Sequence, residues 1–108
     1  VPGDGSQVRD FVSVRDVVRA NILALQRDAV GTFNIGSGTG VSLRELARVI
    51  QEIGGLSREP VFGKSGPGDV RPSVADISRA GDVMGFRPRV HLADGLRETF
   101  AWYRDHPR

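Results

Sequence analysis

The sequence contains no cysteine, and among its 108 residues there is one methionine, one tryptophan and one tyrosine. Without cysteine, neither a disulfide nor a thiolate metal site can form, and no other metal-ligand spacing is present. No apolar run approaches the roughly 18 residues of a membrane-spanning helix. The first residues also lack the basic and apolar regions of a signal peptide. We therefore expect a cytoplasmic protein with no membrane partner and no metal.

Lysine is also scarce, because fourteen of the fifteen basic residues are arginine and Lys64 is the exception. The arginine fork suits phosphate and carboxylate groups. Here, however, the arginines are scattered among 13 acidic residues, and the formal net charge is only +2. Nucleic-acid-binding domains concentrate their charge in a patch or stripe. A small nucleic-acid binder therefore stays a third hypothesis, and we expect no nucleic-acid partner.

Apolar periodicity predicts one domain over residues 1–108 with four helices and short strands. The predicted helices lie near residues 14–27, 43–53, 77–84 and 92–103. The predicted strands lie at residues 9–12, 32–35 and 60–62. These elements do not alternate as in a complete doubly wound sheet. We expect a small, irregular, mostly helical α+β domain.

Polar side chains that precede the helices predict where each helix begins. Ser42 and Glu45 have the spacing of a capping box, and Ser13 with Asp16 forms a second version of it. Asp76 is the predicted N-cap of the third helix.

Familiar catalytic and cofactor motifs are incomplete in this sequence. The glycines of Gly36-x-Gly38-x-Gly40 lack the third position of the dinucleotide fingerprint, so this segment predicts a turn and no cofactor-binding residue. There is no G-x-S-x-G nucleophile elbow. His91 and His106 are not at metal-ligand spacing, and we expect both to be exposed. No catalytic residue is predicted.

Two segments carry charged groups that could bind an anion. Arg9 follows a turn and enters a short strand, where a fixed guanidinium can hold two phosphate oxygens. The alternative is a surface pair with Asp10 that contributes little. The glycine- and proline-rich loop further along carries Lys64, Asp69 and Arg71, and it could close over an anionic ligand.

Four stretches follow one another along nearly the whole chain: GDGSQVRDFVSVRDV, FNIGSGTGVSLRELA, GPGDVRPSVADISRA and GFRPRVHLADGLRETFAWYR. Together they resemble the carboxyl-terminal part of the extended short-chain dehydrogenase/reductases. These are the NAD-dependent nucleotide-sugar epimerases and dehydratases, of which the UDP-glucose 4-epimerases are best known. The resemblance implies a substrate-binding part that accepts a UDP- or dTDP-sugar.

The resemblance also implies machinery that this chain does not contain. In the family, an amino-terminal Rossmann domain holds NAD and carries the tyrosine and lysine of Y-x-x-x-K. Here Tyr103 is the only tyrosine, and Pro107 stands where that lysine would be needed. The chain also begins within a turn. We therefore expect a fragment that lacks the Rossmann domain, binds no NAD alone and is catalytically inert.

Site residues are implied by matching this sequence to the family motifs. Arg9 matches the arginine that holds the nucleotide diphosphate, and Asp69 matches the acid near the ribose. Arg71 stands where many relatives also have arginine. The family's second diphosphate arginine is replaced by Gly66, and Lys64 could partly compensate. An alternative is a non-catalytic binding or assembly module derived from this family, which the change at Gly66 favours. In either case we expect self-association through exposed apolar surface.

Overall fold

The computed structural model describes residues 1, 3–63 and 71–107, which form four helices and a two-stranded antiparallel sheet. In chain order the elements are β1 (Val8–Asp10), α1 (Val14–Gln26), β2 (Gly40–Ser42), α2 (Leu43–Gly54), α3 (Ser78–Met84) and α4 (Leu92–Asp105). The expected mostly helical α+β fold is confirmed. None of these four helices has the length and apolar character that crossing a membrane requires.

Helix α2 begins at the predicted residue and ends at Gly54, one residue beyond the predicted end. The Ser42 hydroxyl accepts a hydrogen bond from the Glu45 backbone N–H at 3.1 Å, as in a capping box. At the other end, Gly55 adopts a left-handed φ of 64°, a conformation that glycine adopts without strain. Helix α2 packs against α4.

Helix α1 also begins at the predicted residue, but the expected capping box does not form. The Ser13 hydroxyl accepts from the Arg15 backbone N–H at 3.1 Å. Asp16, which was expected to complete the box, is only 1% exposed and bonds elsewhere. The predicted capping box is wrong because the Asp16 carboxylate bonds to the backbone N–H groups of Arg89 and Val90, and not to that of Ser13.

The Asp16 carboxylate joins α1 to the extended segment that precedes α4. It accepts backbone hydrogen bonds from Arg89 and Val90, each at 3.1 Å, and a side-chain bond from Arg19 at 3.0 Å. A buried carboxylate is tolerated only when its oxygens are satisfied in this way. Asp16 therefore fixes the path of the chain from α3 to α4.

Helix α3 starts one residue later than its predicted cap implies. Ile77 occupies the N-cap position without a side-chain hydrogen bond. The Asp76 carboxylate still accepts from the backbone N–H and the hydroxyl of Ser78, at 3.0 and 2.6 Å. Gly85 ends the helix in a left-handed conformation.

Strand β1 pairs with β2 so that Arg9 lies opposite Val41. The strand predicted at residues 9–12 is observed at Val8–Asp10, so it starts one residue earlier and ends two residues earlier than predicted. The strands predicted at 32–35 and 60–62 are wrong, since neither segment belongs to a strand in the described chain. Strand-forming sequence needs a partner strand, and Phe33 and Ile35 instead pack against the core.

The hydrophobic core is small and lies between α1 and α3. Only Ala20, Ala80, Met84 and Phe86 are buried apolar residues among those described. A compact monomer of this mass exposes about 5,900 Å², whereas this chain exposes 7884 Å². The Cα radius of gyration is 16.2 Å, against about 13 Å for a compact chain of this length. The chain is therefore more open than a self-contained domain.

Replacing Asp16 with asparagine should lower the free energy of unfolding by about 2 kcal/mol, because the amide satisfies fewer of the three donors around it. Urea unfolding of the 108-residue chain measures this change. Asp82→Asn is the matched control: Asp82 is exposed on α3, so its replacement should change stability by less than about 0.5 kcal/mol. Equal stabilities for the two variants would contradict the role assigned to Asp16.

Candidate anion-binding site

Arg9 lies on β1, and its guanidinium is held by backbone carbonyl groups. Its Nη1 donates to the carbonyl oxygen of Val8 at 2.8 Å and to that of Arg71 at 3.0 Å. The Ser73 backbone N–H donates to the Val8 carbonyl at 3.0 Å, and Arg9 and Ser73 form an isolated parallel bridge. The structure therefore brings together Arg9 and Arg71, two of the predicted site residues that are 62 positions apart.

The other two predicted site residues, Lys64 and Asp69, lie outside the described residues, as does Gly66. Their roles stay predictions.

A cleft of about 660 Å³ opens beside Arg9, and we refer to it as the Arg9 cleft. The residues that line it include Arg9, Asn34, Ile35, Ser73, Ala75 and Asp76. The cleft therefore combines the Arg9 guanidinium with hydroxyl and amide side chains, the donor types that bind phosphate oxygens. The carboxylates of Asp10 and Asp76 also line it, and both accept hydrogen bonds from neighbouring residues of the chain.

Asp10 does not act as the surface partner of Arg9 that the sequence left open. Its carboxylate accepts from the backbone N–H and hydroxyl of Ser37 at 2.9 and 2.6 Å. It also accepts from the backbone N–H groups of Gly38 and Ala75, at 3.0 and 3.2 Å. Asp10 thus joins β1 to two other segments at the edge of the Arg9 cleft.

The charge of Asp10 is stabilised by these donors. Partial burial raises the pKa of its carboxyl group, but the hydrogen bonds from Ser37, Gly38 and Ala75 outweigh burial and hold the pKa below its ordinary value. At neutral pH the group is therefore a carboxylate with its acceptor sites engaged.

The turn that contains Gly36 and Gly38 is shaped around this carboxylate. A Cβ atom at Gly36 would lie 2.7 Å from both Ala75 Cβ and Asp10 Oδ2, so only glycine fits there. Gly38 has a left-handed φ of 72°. Because the N–H groups of Ser37 and Gly38 already bond to Asp10, this turn does not fit the pyrophosphate of a dinucleotide.

Sequence reasoning missed the role of Asp10, although two signals were present. In a strand, Asp10 shares a face with Val8 and Val12, which places a carboxylate on the inward side. A Gly-Ser-Gly turn supplies successive backbone N–H groups, an arrangement that binds anions.

A second and more apolar groove of about 760 Å³ lies between the β1–α1 connection and α4. The large side chains that line it are Phe11, Val12, Leu92, Leu96, Trp102 and Tyr103. His91, at its edge, is the exposed N-cap of α4 and makes no capping bond. His106 is exposed and stacks on Trp102 with ring centroids 4.2 Å apart. Across residues 1, 3–63 and 71–107, no cluster of three or more His, Asp or Glu could hold a metal ion.

Comparisons with known proteins support the family resemblance that the four sequence stretches indicated. The sequence profile described as GDP-mannose 4,6 dehydratase matches residues 1–99. A UDP-glucose 4-epimerase from Mycolicibacterium smegmatis is 41% identical over 104 residues, which cover 95% of this chain and 33% of that protein.

Solved structures of similar proteins contain the same fold. A Thermotoga maritima UDP-glucose 4-epimerase crystallised with UDP-glucose is 40% identical, with a TM-score of 0.90 over all of this chain and 35% of its own. A Bacillus cereus UDP-glucuronic acid 4-epimerase, in complex with UDP-glucuronic acid and NAD, is 32% identical over 98% of this chain and 35% of its own, with a TM-score of 0.88.

The chain spans about a third of the length of the curated relatives that it matches. The family resemblance predicted from the four sequence stretches is confirmed. The chain belongs to the GDP-mannose 4,6-dehydratase family and corresponds to the carboxyl-terminal part of the extended short-chain dehydrogenase/reductases.

Proposed function

We propose that this chain is the nucleotide-sugar-binding part of an NAD-dependent nucleotide-sugar epimerase or dehydratase, and that Arg9 binds the diphosphate of a UDP- or dTDP-sugar. The chain contributes substrate binding and, alone, no turnover. The single observation that carries this proposal is the guanidinium of Arg9, fixed at the rim of a polar cleft.

The geometry around Arg9 supports diphosphate binding. Two backbone carbonyl groups orient Nη1, so the planar guanidinium, whose fork matches a pair of phosphate oxygens, has a defined direction beside the cleft. The backbone carbonyl of Arg71 accepts from Arg9 Nη1, so a second positively charged residue lies next to Arg9 in the fold. A bidentate contact between guanidinium and phosphate is both strong and directional.

The chemistry of the whole protein would require parts that the described residues do not provide. NAD would supply hydride transfer, and the NAD-bound relative from Bacillus cereus supports that cofactor in a longer protein. Tyr103 is exposed near the end of α4 and has no lysine four residues later. We therefore assign the tyrosine–lysine pair and the NAD site to the amino-terminal part of the family architecture.

Titration of the 108-residue chain with UDP should show saturable binding that Arg9→Ala weakens at least tenfold, because one charge-assisted bidentate contact contributes about 2 kcal/mol. Isothermal titration calorimetry measures both affinities. Arg15→Ala is the matched control, since Arg15 is an exposed arginine paired with Glu98. Its affinity should equal that of the unmodified chain, and a loss as large as that of Arg9→Ala would count against a specific role for Arg9.

A second candidate function, a non-catalytic assembly module, is favoured by an exposed apolar face on α1. The exposed fractions along this face are 72% for Val14, 50% for Val18, 47% for Ile22 and 80% for Leu25. These residues recur at helical spacing, so they form one continuous stripe, which we call the α1 stripe. A contiguous apolar surface of this kind is typical of an interaction site.

The α1 stripe also bears on the first proposal. The whole chain, and not the α1 stripe alone, exposes 7884 Å², which is about 2,000 Å² more than a compact monomer of its mass. One partner contributes roughly 800 Å² to a standard interface. We propose that the amino-terminal part of the family architecture packs against the face that carries the α1 stripe. Without that partner, copies of the chain should associate through it.

Sedimentation of the isolated chain should therefore show concentration-dependent association, which Leu25→Asp weakens by placing a charge on the α1 stripe. Leu56→Asp is the control, because Leu56 is also exposed but follows α2. A monomer at every concentration would contradict the proposed interaction surface. Stable association without any UDP binding would favour the assembly module over the substrate-binding part.

A further inference from the structure

The segment that carries Arg71 is attached to β1 at three points along its backbone. The Arg71 carbonyl accepts from Arg9 Nη1 at 3.0 Å. Two residues later, the Ser73 N–H donates to the Val8 carbonyl at 3.0 Å. Two residues after that, the Ala75 N–H donates to Asp10 Oδ2 at 3.2 Å. Of these three attachments, the last is the one that depends on a charged acceptor.

The same carboxylate holds the opposite side of the cleft. Asp10 Oδ1 accepts from both the backbone N–H and the hydroxyl of Ser37, and Oδ2 accepts from the Gly38 N–H. The turn at residues 36–38 adjoins the Asn34–Ile35 wall of the Arg9 cleft. One side chain therefore ties both walls of the cleft to the strand that carries Arg9.

The immediate surroundings leave little room for this arrangement to shift. A Cβ atom at Gly36 would meet Ala75 on one side and Asp10 on the other, so the two walls of the cleft meet around the carboxylate. A Cβ atom at Gly40 would likewise lie 2.6 Å from Val8 and 2.9 Å from Val74. The 73–75 segment is thus packed closely on both strands.

We propose that Asp10 is a positioning residue for diphosphate binding: it holds the 71–75 segment and the 36–38 turn against β1, and thereby sets the position of the Arg9 guanidinium in the cleft. This inference rests on the proposed function. It assigns Asp10 no contact with the ligand, since its oxygens are engaged by Ser37, Gly38 and Ala75.

The test compares UDP affinities of the folded 108-residue chain with those of Asp10→Asn, Arg9→Ala and the double variant. In Asp10→Asn, one of the two acceptor oxygens is replaced by an NH₂ group, which cannot accept the hydrogen bonds that the carboxylate oxygen accepts in the unmodified chain. Asp10→Asn should raise the Kd for UDP at least fivefold. If Asp10 acts through Arg9, the double variant binds no more weakly than Arg9→Ala alone. A Kd within twofold of the unmodified chain, or strictly additive effects in the double variant, would overturn the proposal.

Asp16→Asn is the matched control for loss of stability. Asp16 also accepts two backbone N–H groups from a distant segment, but it does not line the Arg9 cleft. This variant should lower stability while its folded fraction keeps a Kd for UDP within twofold of the unmodified chain. An equal loss of affinity in both variants would mean that general destabilisation, and not positioning, explains the effect of Asp10.

Two further measurements keep the test decisive. Ser37→Ala retains the carboxylate and removes only the hydroxyl donor, and it should raise the Kd about threefold. If Asp10→Asn does not fold, an unchanged Kd in Ser37→Ala overturns the proposal. Amide hydrogen exchange should be faster at Ser73 in Asp10→Asn but not in Asp16→Asn, and unchanged exchange at Ser73 would also overturn it.

The outcome for the unmodified chain separates this inference from the proposed function. If that chain binds no UDP, the proposed function fails. If it binds UDP and Asp10→Asn binds equally well, the proposed function stands and the positioning role of Asp10 is lost.

Discussion

Hydrogen bonds from backbone N–H groups to two carboxylates, Asp10 and Asp16, hold the irregular parts of this chain in place. Among the described residues, the four buried apolar residues lie between α1 and α3, and on the Arg9 cleft the core supports the side lined by Phe33 and Ile35. Each carboxylate accepts from backbone groups at least 27 positions away in sequence. Charge-assisted bonds of this kind are stronger than neutral ones, so they can order segments that a small core leaves unsupported.

This arrangement has a consequence for the candidate site. Arg9 and Asp10 are adjacent in sequence, and an arginine beside an aspartate is often a weak surface pair. Here the aspartate is engaged by Ser37, Gly38 and Ala75, while the Arg9 side chain is oriented by the carbonyl groups of Val8 and Arg71. The negative charge therefore serves to build the cleft, and the positive charge lies at its rim.

The helices could be predicted closely from the sequence because their signals are local. The cap at Ser42 and the apolar periodicity of α1 and α4 are each contained within a single helix. The strands at 32–35 and 60–62 were predicted wrongly because a strand also requires a neighbouring strand, which no local pattern guarantees.

The α1 stripe and the 7884 Å² of exposed surface both indicate that part of this chain's surface is suited to packing against a partner.

The candidate site was only partly accessible to sequence reasoning. Arg9 and Arg71 could be named from motifs, but their contact depends on a bridge between residues 9 and 73. The partner of Asp16 was assigned locally, to Ser13, although its actual partners are Arg89 and Val90. In both cases the missing information was a long-range contact.

A crystal structure of the chain soaked with UDP tests the central claim most directly. The account predicts that the diphosphate lies in the Arg9 cleft, with its oxygens within hydrogen-bond distance of the Arg9 guanidinium and with the Asp10 bonds to Ser37, Gly38 and Ala75 intact. UDP bound in the apolar groove beside α4, or a diphosphate that makes no contact with Arg9, would contradict it.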